Sequence, residues 1–213
     1  MDGPLISDLN DEELVSRIVN GEPRLYEVLM RRYNSRMYRI SMSIINDDAE
    51  AEDIMQISYL NAYRQLENYR GQSSFGTWLT RILINESLLQ KKRKTKKEKL
   101  LMETTFVEEH HNTPLSGLMN KELKAILEQA VASLPEKYRL VFVMREVQGM
   151  STSETMEVLS LGESNVKIRL ARAKEMLKAE LSKKWMPEQI YDFNLVRCDV
   201  IVDAVMSQIL QSQ

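Results

Sequence analysis

Cysteine is almost missing from this chain. Cys198 is the only one in 213 residues, which excludes an internal disulfide framework. Histidine is nearly as scarce: His110 and His111 stand side by side and are too few for most metal or proton-shuttle sites. Seven glycines and five prolines argue against a turn-rich all-β chain. No apolar run approaches the ~18 residues of a membrane span, so none is expected. The N-terminus, Met1-Asp2-Gly3-Pro4, is acidic and lacks the apolar core of a signal peptide. No GxxxxGK[ST] loop, metal-spaced His/Cys cluster or nucleophile–base pair is present, so neither an enzyme nor a cofactor is implied. These absences leave a soluble, mostly helical protein of a reducing compartment, read as cytoplasmic. Its length suits one large domain or two small ones.

The charge is present but segregated. The formal net charge is only −2, yet Asp47, Asp48, Glu50, Glu52 and Asp53 crowd one short stretch. Lys91, Lys92, Arg93, Lys94, Lys96, Lys97 and Lys99 crowd another, and Lys167, Arg169, Arg172, Lys174, Lys178, Lys183 and Lys184 make a third. Such a dipolar layout fits a protein with differently charged partners on different faces.

Helical periodicity runs through most of the chain, and no segment alternates as a strand. A first helix follows Asn10 and ends near Asn20-Gly21. A second carries Leu25, Leu29, Tyr33, Met37, Ile40 and Ile44 at steps of three and four. Asp47 with Glu50 resembles a capping box opening a third helix, through about Leu66. A polar stretch, Asn68 to Ser74, precedes a fourth from Phe75 to about Lys97. Residues 103–117 lose the periodicity and read as a linker. A new helical block starts near Leu118, breaks at Ser133-Leu134-Pro135 and resumes to about Gly149.

Beyond that point the pattern becomes specific. Ser151 and Glu154 fit a capping box, a short helix runs to Leu159, Ser160-Leu161-Gly162 breaks it, and a longer helix follows to Lys184. Val166, Leu170, Ala173 and Leu177 form the inward stripe of that longer helix. Ser164, Lys167, Ile168, Ala171 and Arg172 face outward. A short helix, a turn and a second helix with a basic exposed face make a helix-turn-helix, whose second helix suits a DNA major groove. A solvated basic face on a surface helix is the plainer alternative.

The run Leu134-Pro135-Glu136-Lys137-Tyr138-Arg139, then Val141-Phe142 and Glu146-Val147-Gln148-Gly149-Met150-Ser151, resembles the C-terminal DNA-binding domain of sigma-70-family factors, in particular the extracytoplasmic-function (ECF) subgroup. The likeness continues through Glu154, Val158-Leu159, Val166-Lys167, Arg169-Leu170 and Arg172-Ala173. It implies that Ser164, Asn165, Lys167, Ile168, Ala171 and Arg172 occupy positions that meet the promoter −35 element. Ile168 and Ala171 cannot hydrogen-bond a base edge and are left with a thymine methyl or sugar. Thr155 at a core position weakens packing unless its hydroxyl bonds a nearby helical carbonyl.

The first half resembles the other conserved domain of the same family. The likeness rests on Tyr33 and Tyr38, Ala51-Glu52-Asp53-Ile54-Met55-Gln56, Tyr59-Leu60-Asn61-Ala62-Tyr63, Ser74-Phe75, Thr77-Trp78-Leu79, Arg81-Ile82 and Asn85. The resemblance implies docking on core RNA polymerase through Asp53, Gln56, Tyr59 and Leu60. It implies capture and melting of the −10 element by Tyr69, Arg70, Gln72, Ser73, Thr77, Trp78, Arg81, Asn85, Lys92 and Arg93. Read without it, Asp53 and Gln56 are an acidic solvated face with Ile54, Ile57 and Leu60 inward, and Trp78 beside Phe75, Leu79 and Ile82 is core.

The expected fold is therefore all-α. A sigma-2-like domain (residues 1–97) is joined by a flexible linker (98–120) to a sigma-4-like helix-turn-helix domain (121–184), followed by a short C-terminal tail helix (185–213). In the tail, Val196, Val200 and Ala204 with Ile201, Val205 and Ile209 make an apolar stripe, fit to pack within the chain or to bind a regulator. Cys198 is expected to be a small buried or half-exposed residue. The expected partners are core RNA polymerase, promoter DNA and, as a family trait, an anti-sigma factor. The sequence does not say whether the free chain is compact or extended; the charge layout allows compaction, with the acidic first-half helix meeting the basic recognition helix. Two alternatives stand beside this reading. A stand-alone helix-turn-helix regulator needs no polymerase-docking half. A nucleic-acid enzyme would require the Asp47–Asp53 cluster to hold Mg²⁺.

Overall fold

Capping side chains set where each helix begins. In the computed structural model, which describes residues 9–101 and 118–184, α1 (Asp11–Val19) starts at Asn10. The Asn10 side chain accepts from the Glu13 amide at 2.8 Å, and the Glu13 carboxylate accepts from the Asn10 amide at 3.1 Å. Pro23 opens a 3₁₀ turn (Pro23–Leu25) leading into α2 (Tyr26–Ile45). That helix stops at Asn46, which adopts φ 58°, a conformation asparagine tolerates better than most residues. The next helix, α3 (Asp48–Arg64), is capped by Asp47, whose side chain accepts from the Glu50 amide at 2.9 Å. The reciprocal bond of a capping box does not form there. The Glu50 carboxylate pairs instead with Lys94 at 2.6 Å.

A 3₁₀ turn (Leu66–Asn68) and the loop to Ser74 precede α4 (Phe75–Leu101), the longest helix described. It buries Thr80 and Ser87 by bonding their hydroxyls back to the carbonyls of Gly76 and Leu83, at 2.6 and 2.8 Å. Gly76 permits a close crossing: a Cβ there would stand 2.6 Å from Tyr33 Cε1 and 2.8 Å from an Arg36 guanidinium nitrogen. The second half comprises α5 (Leu118–Ser133), α6 (Glu136–Phe142), a π-helical turn over Val143–Val147, α7 (Thr152–Leu159) and α8 (Glu163–Lys184). No strand occurs among the described residues. Residues 102–117 of the predicted linker, with His110 and His111, and residues 185–213, with Cys198, lie outside the described residues.

The chain divides into two compact units, Met1–Leu177 and Lys178–Gln213. Within the first unit, α2, α3 and α4 pack around Leu29, Met37, Ile40, Ile54, Leu79 and Leu83. The same core takes in Leu140, Val143, Met144, Met150 and Val158 from the second half. Those residues arrive because α6 lies on α2 and α7 lies on α4. Arg139, on α6, donates from Nε to the Ser43 carbonyl at 2.7 Å and from Nη1 to the Ala132 carbonyl at 2.5 Å. Within the second unit, Ser182 donates to the Lys178 carbonyl at 2.7 Å and Lys183 pairs with Glu180 at 3.1 Å.

Compaction thus runs mainly through α6 on α2 and α7 on α4, and not through the acidic helix against the basic one. The physical reason is burial. Met150 and Val158 are 1% and 4% exposed, whereas the charged faces of α3 and α8 keep their heads in water.

Candidate nucleic-acid and polymerase interfaces

The first candidate surface is the outer face of α3. Asp53, Gln56 and Leu60 recur at three- and four-residue steps, so they share one side of the helix, and all three are exposed. Leu60 is 55% exposed, and Ile57, placed inward by its apolar nature, is 42% exposed. Ile54 alone of that trio is buried, at 1%. Beside this face α2 and α3 leave a groove of about 850 Å³, lined by Tyr26, Met30, Met55, Tyr59, Leu60 and Tyr63 among others. Tyr59 lies in the floor of the groove and not on the exposed face: its ring is 5% exposed and its hydroxyl donates to the Met30 carbonyl at 3.2 Å. Tyr26 donates to the Tyr59 carbonyl at 2.8 Å and stacks edge-on with Tyr63 at 5.1 Å. Burial pushes the Tyr26 and Tyr59 hydroxyls well above their ordinary value, so both remain neutral donors. Tyr38, on the rim, donates to the Asp48 carboxylate, and that bond and partial burial push its hydroxyl up to about 12. Sequence reasoning missed Tyr26, Met30, Met55 and Tyr63. A tyrosine–methionine set at helical spacing was their only signal.

Three carboxylates of the Asp47–Asp53 cluster are engaged within the chain. Asp47 caps α3, Asp48 accepts from Tyr38, and Glu50 pairs with Lys94. No group of three or more potential metal ligands occurs among the described residues.

The second surface is the start of α4 and the loop before it. Phe75 is buried at 1% and meets Tyr33, Tyr69 and Trp78 at centroid distances of 5.6, 5.8 and 5.6 Å. Trp78 is half-buried in this cluster, 5.4 Å from Tyr69. The Tyr69 hydroxyl donates to the Ser73 carbonyl at 2.8 Å and so closes the loop that carries Arg70 and Gln72 outward. Gly71, at φ 67°, makes the bend. Along α4, Arg81, Asn85, Lys92 and Arg93 are exposed. Thr77 is not: it is 0% exposed, shares a 2.8 Å bond with Ser74 and donates to Glu154 of α7 at 3.1 Å. Arg81 stands 3.9 Å from Glu157. Lys91 is drawn away from the basic run to Glu136 and, at 3.4 Å, to the Ile44 carbonyl.

The third surface is α8, set by the turn from α7. Ser151 and Glu154 close both bonds of the expected capping box, at 3.1 and 2.7 Å. The buried Thr155 hydroxyl donates to the Ser151 carbonyl at 2.9 Å, which answers the polar group that a core position would otherwise leave unpaired. The left-handed residue of the turn is Ser160, at φ 51°, and not Gly162. Val166, Ala173 and Leu177 point inward, with Leu170 half-buried, while Ser164, Asn165, Lys167, Ile168, Ala171 and Arg172 are all exposed. Lys167 pairs with Glu163 at 2.6 Å, an exposed bond of little net worth that a phosphate could replace.

Glu154 carries a pH dependence. Burial raises its carboxyl, but bonds from Ser151 and Thr77 outweigh that and hold it below the ordinary value of 4.5. A lowered folded pKa means stability that is fully present above 4.5 and is lost as pH falls through the folded value. Acid thermal denaturation should therefore show a destabilising limb in that window, and the limb should shrink in Glu154→Gln.

The comparisons with known proteins bear on these surfaces. The family profile described as "Sigma-70 region 2" matches residues 29–97, and that described as "Sigma-70, region 4" matches residues 124–177, together more than half of the chain. The RNA polymerase sigma-H factor of Pseudomonas aeruginosa is 28% identical over 186 residues, covering 83% of this chain and 96% of that protein. The ECF RNA polymerase sigma-E factor of Escherichia coli is 27% identical over 178 residues, covering 79% of this chain and 93% of that protein. Among solved structures, CnrH, determined in complex with the cytosolic domain of CnrY, shares the fold with a TM-score of 0.61 at 22% identity, over 82% of this chain and 99% of that one. RpoE of Bartonella quintana, determined with the anti-sigma factor NepR, also gives 0.61, at 19% identity, over 74% of this chain and 96% of that one. With regions 2 and 4 both present, in order, and curated relatives that match over most of their length, the chain belongs to the sigma-70 family as an ECF-type sigma factor that directs transcription initiation.

Proposed function

We propose that the three surfaces divide the work of initiation. The α3 face with Asp53, Gln56 and Leu60, and the adjoining groove with Tyr59 in its floor, docks on core RNA polymerase. A carboxylate and an amide beside exposed Leu60 suit a partner helix that offers arginines around an apolar anchor. The loop residues Tyr69, Arg70, Gln72 and Ser73, with Trp78, Arg81 and Asn85, take the −10 strand, and buried Thr77 supports them through its bond to Ser74. Lys92 and Arg93 follow the strand's phosphates. The exposed face of α8, from Ser164 to Arg172, reads the −35 element. Residues 1–97 and 121–184 are the two working domains. The protein acts in the cytoplasm as a binding factor and not as an enzyme, and an anti-sigma factor, such as the one bound to the Bartonella quintana relative, restrains it.

The observation that carries this reading is the contiguity of exposed Leu60 and Ile57, beside Asp53 and Gln56, with the groove that Leu60, Met30, Met55 and Tyr63 line, because a continuous apolar surface marks an interaction site where scattered apolar residues do not. Purified protein, bacterial core polymerase and a library of promoter fragments test it, with polymerase association and start sites read together. Selective initiation supports the division; DNA binding without polymerase association points to a stand-alone regulator. Asp53→Ala with Gln56→Ala should weaken polymerase association by ~1–3 kcal/mol, which is about 5- to 150-fold. Both side chains are exposed, so the melting temperature should not change.

A further inference from the structure

The exposed face of α8 has an apolar residue at its crest. Val166, Ala173 and Leu177 are buried at 1%, 0% and 8% and fix which side of the helix meets the core. At ~100° per residue Ile168 lies on the opposite side, and it is 54% exposed. A lone apolar residue on a protein surface is ordinary. What sets Ile168 apart is its place. Ser164, Ala171 and Arg172 share its face at steps of three and four, and all are exposed. Lys167 and Arg172 bring positive charge to either side of it, whereas Glu175, the next exposed residue along the crest, brings a carboxylate that phosphates repel. The stretch from Ser164 to Arg172 is therefore the part of α8 that suits a groove. It is about 12 Å of helix, set against about three or four base pairs at ~3.4 Å each. Ile168 stands in its middle.

We propose that Ile168 is a specificity residue that reads a thymine methyl group, so that the −35 element of this factor carries thymine at the base pair Ile168 meets. This inference rests on the assignment of α8 to the −35 element. The C5-methyl of thymine is the apolar group on the major-groove base edges; the others are hydrogen-bond donors and acceptors. Opposite Ile168 a cytosine amino group or a guanine carbonyl loses water and gains no partner, which costs free energy. A thymine instead buries its methyl against the side chain. Attraction to one base and a penalty for the others then act together. Branching at Cβ holds an isoleucine to essentially one χ1 rotamer on a helix. The apolar knob is thus set before DNA arrives, and little side-chain freedom is lost on contact. Ala171, three residues on, adds no bulk that would hold the helix off the groove floor.

The test uses the full chain with bacterial core polymerase. The holoenzyme first selects from promoter fragments randomised across the −35 region, and thymine should be enriched at one or two adjacent positions. Deoxyuridine then replaces each selected thymine in turn, which removes the methyl group and leaves the pairing edge unchanged. Binding should weaken about fourfold at the position Ile168 meets, the worth of one buried methyl-sized group, and by less at other thymines. Ile168→Ala should abolish that sensitivity, while Ile168→Val, which keeps a branched apolar side chain, should retain most of it. The exposure of Ile168 lets both variants fold as the parent does. An absence of thymine enrichment, or of any position sensitive to uracil, overturns the methyl reading. Sensitivity that persists unchanged in Ile168→Ala also overturns it, since another residue or the shape of the duplex then senses the methyl. The −35 assignment survives these outcomes if Lys167→Ala with Arg172→Ala still removes the advantage of promoters that carry the element. It falls, and the methyl reading with it, if the parent chain gains nothing from the −35 element.

Discussion

Alanine in place of Phe75 should lower the stability of the chain by ~3–5 kcal/mol, the usual range for removing a fully buried aromatic ring. That is a large share of the ~5–15 kcal/mol that holds a typical domain together. Phe75 is 1% exposed and is the meeting point of Tyr33, Tyr69 and Trp78. Its loss opens a cavity and also withdraws three edge or tilted ring contacts. Urea unfolding should show the midpoint fall with little change in slope. The second consequence is local. Tyr69 and Trp78 lean on this ring, so the loop from Arg70 to Ser73 loses its rigid backing and −10 capture should fail at temperatures where the chain remains folded. Phe75→Leu keeps an apolar side chain in place and should retain much of the stability, separating the packing effect from a direct role of the ring.

Replacing Lys167 and Arg172 together with alanine should weaken −35-dependent promoter binding about a hundredfold. An arginine that bonds a guanine edge supplies about 1–3 kcal/mol of discrimination, and each phosphate lost should also flatten the log K against log salt slope by about 0.9. In the free chain Lys167 is held by Glu163 at 2.6 Å and Arg172 leans toward the Tyr138 hydroxyl at 3.5 Å. Glu163 is exposed, and the buried Tyr138 offers Arg172 only a long contact to a neutral hydroxyl, so neither partner competes strongly with DNA. Because Ala173 and Leu177 do the packing on this helix, the double variant should fold normally and keep its polymerase association. Initiation measured from promoters with and without their −35 elements reads the difference: the variant should behave alike on both.

Helix positions were legible because burial on a helix leaves a period. Leu29, Met37, Ile40 and Ile44 read directly as an inward stripe and are all buried. The Ser151–Glu154 box and the outward set on α8 followed from spacing in the same way. Three features were not legible. Ile57 and Leu60 read as inward because they are apolar, yet α3 turns both outward; an apolar residue on an exposed face has the composition of a core residue. Asp47 and Glu50 have the letters of a capping box, but Lys94, far along the chain, takes the second carboxylate. The charge layout points to the acidic and basic blocks as a contact between halves, but charge marks the faces that stay solvated. The residues that do meet, Met150, Val158 and Leu140 among them, carry no sign that distinguishes a contact between halves from a contact within one.

Arg139 and Lys91 have a consequence for how the molecule should be divided. The last carbonyls of α2, at Ser43 and Ile44, are answered by a guanidinium from α6 and an ammonium from α4. A helix end normally finishes its own hydrogen-bond account with water or a local cap; here the Asn46 amide answers only the Met42 carbonyl, at 3.0 Å, and the Ser43 carbonyl takes its cation from the second half. The two halves therefore share a cooperative joint, and a fragment cut at the boundary between them inherits a frayed α2 terminus that the intact protein never exposes while it is closed. Stability measured on the excised first half will be lower than what that half experiences at home, and substitutions at Arg139 will register as defects of a domain to which, by sequence position, it does not belong.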